Sequence, residues 1–157
     1  MRAATEFLAA VRRSRRLHAP WVKPPHTEAA YRTYVRRART PTHAGYLIRL
    51  RASSDLVGIA GISEIVRGSL RSAYLGYYAF VPHERQGLMA EGLSLVIRQA
   101  FGPLRLHRLE ANVQPGNRAS LKLVRRLGFR REGFSRRYLK IRGRWRDHER
   151  WALLADE

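Results

Sequence analysis

The sequence predicts a mixed α/β layered domain, and three observations carry that expectation. The first forty residues show helical spacing of apolar side chains. From Tyr46 the pattern becomes short alternating runs separated by turn residues, as in an antiparallel meander. After Val81, helical and strand-like segments alternate to the end. At 157 residues, with no repeat, linker or low-complexity stretch, residues 1–157 are expected to form a single domain with one good core.

Residues 3–18 place Phe7, Leu8, Val11 and Leu17 among arginines at amphipathic helical spacing. Residues 19–25 must be a loop, because Pro20, Pro24 and Pro25 remove donors and push their neighbours toward extended backbone. Thr27 is the expected N-cap of a second helix running from Glu28 to about Arg39, with Glu28 complementing the positive helix end. Strands follow at residues 46–51, 56–66 and 72–81, with turns at Ser53-Ser54-Asp55 and Arg67-Gly68-Ser69. Gly58 and Gly61 suggest a bulge or a close backbone approach in the second strand. A helix over 89–101 stops at Gly102-Pro103. Then come a strand at 107–113, a helix at 118–127 capped by Asn117 and closed by Gly128, and two strands at 129–141 and 145–154.

The totals exclude several chemistries. There is no cysteine, hence no disulfide, no thiolate nucleophile and no covalent acyl-cysteine intermediate. No histidine spacing suggests a metal site, so no metal is expected. No run is long enough to span a bilayer, and no secretory pattern follows the N-terminal arginines, so a cytoplasmic location is expected. The formal net charge of +19 favours polyanionic partners, among them RNA, ribosomes and phosphorylated cofactors. That charge is spread along the whole chain, so direct nucleic-acid binding is open but not favoured. An oligomer, a dimer first, is also left open.

Phe80-Val81-Pro82-His83-Glu84-Arg85-Gln86-Gly87-Leu88-Met89-Ala90-Glu91 reads as a strand end, a turn around one glycine and a helix start. Backbone N–H groups at such a start favour a pyrophosphate or carboxylate. The whole order, with this turn after the third strand, resembles the GNAT (Gcn5-related N-acetyltransferase) fold, a mixed, mostly antiparallel sheet flanked by helices. Tyr74-Leu75-Gly76-Tyr77, Gln86-Gly87-Leu88-Met89-Ala90-Glu91-Gly92-Leu93, His107-Arg108-Leu109-Glu110-Ala111-Asn112, Leu127-Gly128-Phe129 and Gly143-Arg144-Trp145-Arg146-Asp147-His148 are similar to its RimJ branch, the ribosomal-protein-alanine N-acetyltransferases. The resemblance runs from about Gly45 to Leu154. Two features depart from the family. Glu84 and Met89 occupy outer positions of the phosphate motif, and the usual first strand is missing or very short.

The resemblance implies acetyl-CoA as acetyl donor, held by Ala79, Phe80 and Val81 at a splayed strand end. Gln86, Gly87, Leu88, Met89 and Ala90 form the phosphate turn, with Asn117 and Ser120 beyond. Ser120 is the expected hydrogen-bond donor to the departing thiolate. Glu110 and Glu64 are the expected general bases, directly or through water, although an α-amino group with a pKa of about 7.7–8.0 needs little help. Trp21 and Tyr77 are the expected substrate-binding walls. Plain structural roles compete at every position: a helix-entry turn for Gly87, a cap for Asn117, an ion pair for Glu110, a core plug for Trp21. The function implied is transfer of acetyl to the α-amino group of a protein or peptide, a ribosomal protein foremost. The alternatives are a GNAT enzyme acting on a small-molecule amine, and a non-catalytic RNA- or ribosome-binding protein on the same scaffold.

Overall fold

The computed structural model describes residues 2–157. In chain order it contains α1 (Arg2–Arg13), α2 (Arg15–His18), α3 (Glu28–Arg37), β1 (Ala44–Arg49), β2 (Leu56–Val66), β3 (Ser72–Ala79), α4 (Leu88–Phe101), β4 (Arg108–Val113), α5 (Arg118–Arg126), β5 (Arg130–Ile141) and β6 (Arg144–Leu154). The strands form one six-stranded sheet in the order β1-β2-β3-β4-β6-β5. Every pairing is antiparallel except β3 with β4. This is the mixed, mostly antiparallel sheet flanked by helices that the sequence predicts. Among the described residues no strand precedes α1.

Helices cover both faces. On one, α4 and α5 bury Leu93, Val96 and Val124 against Val57, Ile62 and Leu109. On the other, Phe7, Ala10 and Val11 of α1 pack against Leu56, Ile59 and Phe80, with Tyr31 and Tyr34 of α3 completing the cluster. The local chemistry explains the element ends. Thr27 Oγ1 accepts from the amide of Ala30 and caps α3. Gly128, at φ +90°, turns the chain out of α5. Arg142 and Gly143, both at positive φ, form the two-residue turn between β5 and β6.

Gly58 is a close-approach glycine. A Cβ there would lie 2.5 Å from Met89 Sδ and 2.7 Å from the Tyr78 carbonyl, next to a register shift in the β1–β2 ladder. Gly61 has open space around it, so the expectation of a tight approach fails there.

Two of the boundaries that differ from expectation meet at one side chain. The first helical segment divides at Ser14, which is fully buried. Its hydroxyl accepts from the amide of Val81 at 3.0 Å. Phe80 N still donates to Val57 O at 2.7 Å, but Val81 N turns away from the sheet toward Ser14. β3 therefore ends at Ala79 rather than at Val81.

Candidate active site

β3 and β4 pair only at Ser72–Arg108, Ala73–Leu109 and Tyr74–Glu110. Beyond that rung the two parallel strands have no ladder, and the sheet opens between Gly76–Ala79 and Ala111–Val113. A cavity of about 1260 Å³ occupies the opening, lined by residues from β3, β4, α5, the turn before α4, the loop after α2 and β6. Backbone alternation decides which β3 groups face it. Phe80 N points to β2, so the amides of Tyr77 and Ala79 point to the opposite side, into the gap. The Ala79 carbonyl is met there by His18 Nε2 at 2.7 Å.

Buried polar atoms without a partner concentrate at this cavity. Among the described residues, His18 Nδ1, Tyr78 Oη, Glu84 Oε2 and Asn112 Oδ1 are all on lining residues, and Arg150 Nε lies elsewhere. Each such atom costs free energy unless something satisfies it.

One end of the cavity suits phosphate. Gly87 caps α4 at φ +81° and has no side chain to satisfy the donors of the first turn. Arg85, two residues earlier, is also left-handed at φ +60°. Helix α5 turns a basic stripe to the same cavity, since Arg118, Lys122 and Arg126 recur at i, i+4 and i+8. Arg126 Nη1 would be 3.9 Å from a Cβ placed on Gly87. Glu84 is the only carboxylate among the described lining residues. Its Oε2 is buried without a hydrogen-bond partner, and no ion pair with Arg85 is formed.

Toward the strand gap the lining becomes polar but uncharged. Tyr77 Oη and Ser120 Oγ are 2.6 Å apart. Burial pushes the Tyr77 phenol up to about 12, with the bond to Ser120 opposing. Asn117 Oδ1 accepts from Ser120 N at 3.1 Å, which fixes the serine in the first turn of α5. Trp21 is half-buried over the turn before α5: its ring would lie 3.3 Å from a Cβ placed on Gly116, and its carbonyl accepts from Gln114 Nε2.

The residues singled out by sequence fall into two groups. Trp21, Tyr77, Ala79, Gly87, Met89, Ala90, Asn117 and Ser120 are brought together around the cavity. Phe80, Val81, Gln86 and Leu88 are not in its wall. Phe80 is fully buried on the α1 side, the amides of Phe80 and Val81 are already bonded, and Gln86 Nε2 donates back to Pro82 O.

Glu110 and Glu64, the expected general bases, do not line the cavity. Glu110 is paired with Tyr74 on the last closed rung, below the opening, and accepts from Arg108 Nε at 2.9 Å. Glu64 is bound by Arg37 at 3.0 Å in an exposed pair. Sequence reasoning missed Ser14, His18 and His148. It also missed the α5 stripe, although three basic residues at helical spacing were visible.

His18 carries a stability consequence. Burial lowers its pKa, with the bond to Ala79 opposing and Arg142 reinforcing. A folded-state pKa below the unfolded value means the unfolded chain binds the extra proton. Stability is thus complete above about pH 6.5 and falls as pH drops below it. Urea unfolding followed between pH 7.5 and 5 should show that loss, to which buried His148 adds, and His18→Gln should make it smaller. A slope unchanged in His18→Gln would refute the assignment.

The acetyltransferase (GNAT) domain family matches residues 2–130. Probable N-acetyltransferase YjcK of Bacillus subtilis is 41% identical over 104 residues, 66% of this chain and 58% of that protein. The ribosomal protein uS5 alanine N-acetyltransferase of Escherichia coli is 42% identical over 103 residues, 66% of this chain and 53% of that one. The chain thus matches little more than half the length of these relatives. Among solved structures, Mycobacterium smegmatis RimJ in complex with CoA-disulfide superposes with a TM-score of 0.89 at 28% identity, covering 99% of this chain and 78% of that one. The ribosomal-protein-S5-alanine acetyltransferase from Vibrio fischeri gives 0.85 at 25% identity, with 98% and 88% covered. Spermidine N-acetyltransferase from Vibrio cholerae, in complex with CoA and spermine, gives 0.82 at 21% identity, covering 99% of this chain and 92% of that one; this is a likeness of fold.

Proposed function

The chain belongs to the GNAT acetyltransferase family, and from that premise we propose that it transfers acetyl from acetyl-CoA to the α-amino group of a protein or peptide. The observation that carries this is the opened β3–β4 gap, with a basic phosphate end and a Tyr77–Ser120 hydroxyl pair beside it. Residues 1–157 act as one catalytic domain. The pyrophosphate of acetyl-CoA lies on the first-turn amides of α4 around Gly87, and Arg126 with Lys122 supplies cationic partners. The pantetheine arm lies along Tyr77 and Ala79 in place of the missing ladder partner. Ala79 N–H polarises the thioester carbonyl. The neutral amine attacks that carbon directly, and the sulfur departs as a thiolate that accepts hydrogen bonds from the Tyr77–Ser120 pair.

The acceptor class follows from charge. A polyamine needs several carboxylates, and the described lining supplies only Glu84. An α-amino group at the end of a chain needs only a neutral stretch of wall, and Trp21, Leu139 and Ile141 are uncharged members of the lining. A ribosomal protein is the favoured source, on the similarity to the uS5 enzyme and on the net charge of +19, which suits an RNA-rich setting. No helix is long and apolar enough to cross a membrane, and no metal-binding group of histidine and carboxylates occurs among the described residues.

The deciding experiment compares CoA release with alanine- and serine-starting peptides against spermidine. It is paired with mass spectrometry of a ribosomal-protein mixture incubated with labelled acetyl-CoA. N-terminal labelling is expected. Faster turnover on spermidine, or labelling confined to lysine, would overturn the acceptor assignment.

Glu84→Gln should leave acetyl-CoA affinity unchanged or raise it, because it removes a negative charge beside the phosphate end. Titration calorimetry measures this directly. A clear loss of affinity would show that the Glu84 carboxylate is needed in the turn.

A further inference from the structure

We propose that His148 is the proton acceptor of acetyl transfer, taking the proton that the acceptor nitrogen sheds as it bonds to the thioester carbon. The inference rests on the acetyltransferase function argued above and deepens it at one residue. Once Glu110 and Glu64 are placed outside the cavity, the site needs another proton acceptor. Glu84 belongs to the phosphate turn. His18 offers Nδ1, but that atom is sealed from the cavity, with the Tyr78 and Phe80 rings packed at 4.9 and 5.6 Å.

His148 has the right position. β6 pairs with β4 as far as Val113–Glu149, so His148 is the next residue beyond the end of β4, level with the opening. It lines the cavity between β4 and the Leu139–Ile141 segment, although only 3% of its surface is exposed.

The hydrogen bond fixes its tautomer. Nδ1 lies 2.9 Å from the Arg146 carbonyl. A carbonyl only accepts, so Nδ1 carries the proton and the lone pair of the neutral ring is on Nε2. A backbone partner holds this arrangement without depending on another side chain. The neighbouring groups are Asp147 on the same strand and the Tyr138 ring of β5, 6.2 Å away. Burial lowers the imidazole pKa, opposed by the Arg146 bond and by Asp147, so the ring is neutral and ready to accept near pH 7.

The chemistry tolerates so weak a base. An imidazole of lowered pKa is poorly matched to an α-ammonium of pKa about 8. The neutral amine attacks, and its N–H becomes far more acidic as the N–C bond forms. The nitrogen lone pair makes that bond, the C–S bond breaks, and its electron pair leaves on sulfur. The sulfur leaves as a thiolate held by hydrogen bonds from the Tyr77–Ser120 pair, while the nitrogen proton passes to His148 Nε2. Solvent then takes that proton from His148, which closes the balance.

His148→Gln assayed with acetyl-CoA and an alanine-starting peptide should lose about 10²-fold in kcat with acetyl-CoA affinity nearly unchanged. Added imidazole should restore part of the rate in His148→Ala. A His148→Gln enzyme with wild-type kcat overturns the proposal and leaves the acetyltransferase function standing. A wild-type chain that acetylates no amine overturns both. If the variants lose acetyl-CoA binding, imidazole nitrogen NMR of the wild-type chain decides. A neutral Nδ1–H tautomer supports the proposal, and an Nε2–H tautomer or a ring charged at pH 7 overturns it.

Discussion

Ser120→Ala should lower kcat by about 10²-fold while acetyl-CoA affinity should stay within about threefold. Ser120 is held twice: its amide by Asn117 Oδ1 and its hydroxyl by Tyr77 at 2.6 Å. It therefore stands in the first turn of α5, where the positive helix end favours charge developing on the thiolate. The hydroxyl is too weak an acid to donate outright before the C–S bond breaks. Its partner is no better, because burial pushes Tyr77 up to about 12. Each is instead a placed hydrogen-bond donor whose contribution grows as sulfur gains charge, so its loss falls on kcat rather than on binding. Tyr77→Phe should cost a similar factor. The double variant should cost much less than the product of the two, because either change breaks the same pair. Ser120→Thr, which keeps a hydroxyl, should retain most of the rate. Steady-state kinetics with a peptide acceptor and calorimetry with acetyl-CoA measure both sides. Wild-type kcat in Ser120→Ala would remove the hydroxyl pair from the mechanism.

Much of this site was legible in the sequence because local chemistry dictates it. Thr27, Asn117 and Gly128 announce helix ends through caps and left-handed backbone, and the structure places all three as expected. Gly87 marked the left-handed turn at the start of α4 for the same reason. What stayed hidden depends on contacts across the chain. Ser14 looks like an ordinary polar residue in an amphipathic helix, yet it meets Val81, 67 positions away, and ends β3. His18 looks like a residue at a helix end, yet it reaches Ala79 across 61 positions. Glu110 was attractive because it lies on the strand beside the gap. Its rung is nevertheless closed, and whether a given rung is open depends on how far two strands diverge, which no single strand's pattern records. His148 was visible only as a histidine in a strand. Its place at the cavity depends on β6 running past the end of β4, where His148 is the first position without a β4 partner.

Phe80→Ala should destabilise the fold by about 3–5 kcal/mol, lowering Tm by roughly 10 °C. The side chain is fully buried, and its ring meets Phe7 at 5.8 Å, His18 at 5.6 Å and Tyr78 at 5.6 Å, each edge to face. These contacts join α1, α2 and the end of β3 in the smaller of the two cores. That core has few members, so a phenyl-sized void has little around it that can collapse inward. Truncation also acts on the site. Phe80 lies between Ala79, whose carbonyl His18 holds, and Val81, whose amide Ser14 holds. Loosening the ring loosens both bonds and the strand end that faces the cavity. The thermal shift produced by saturating acetyl-CoA should therefore be smaller in Phe80→Ala than in the wild type, because part of the binding free energy goes to re-ordering this segment. Phe80→Leu keeps most of the volume and should cost less than half as much. Thermal and urea unfolding of the three proteins, with and without acetyl-CoA, measures both effects. A loss below about 1 kcal/mol in Phe80→Ala would mean that α1 and α2 are held to the sheet by something other than this aromatic cluster.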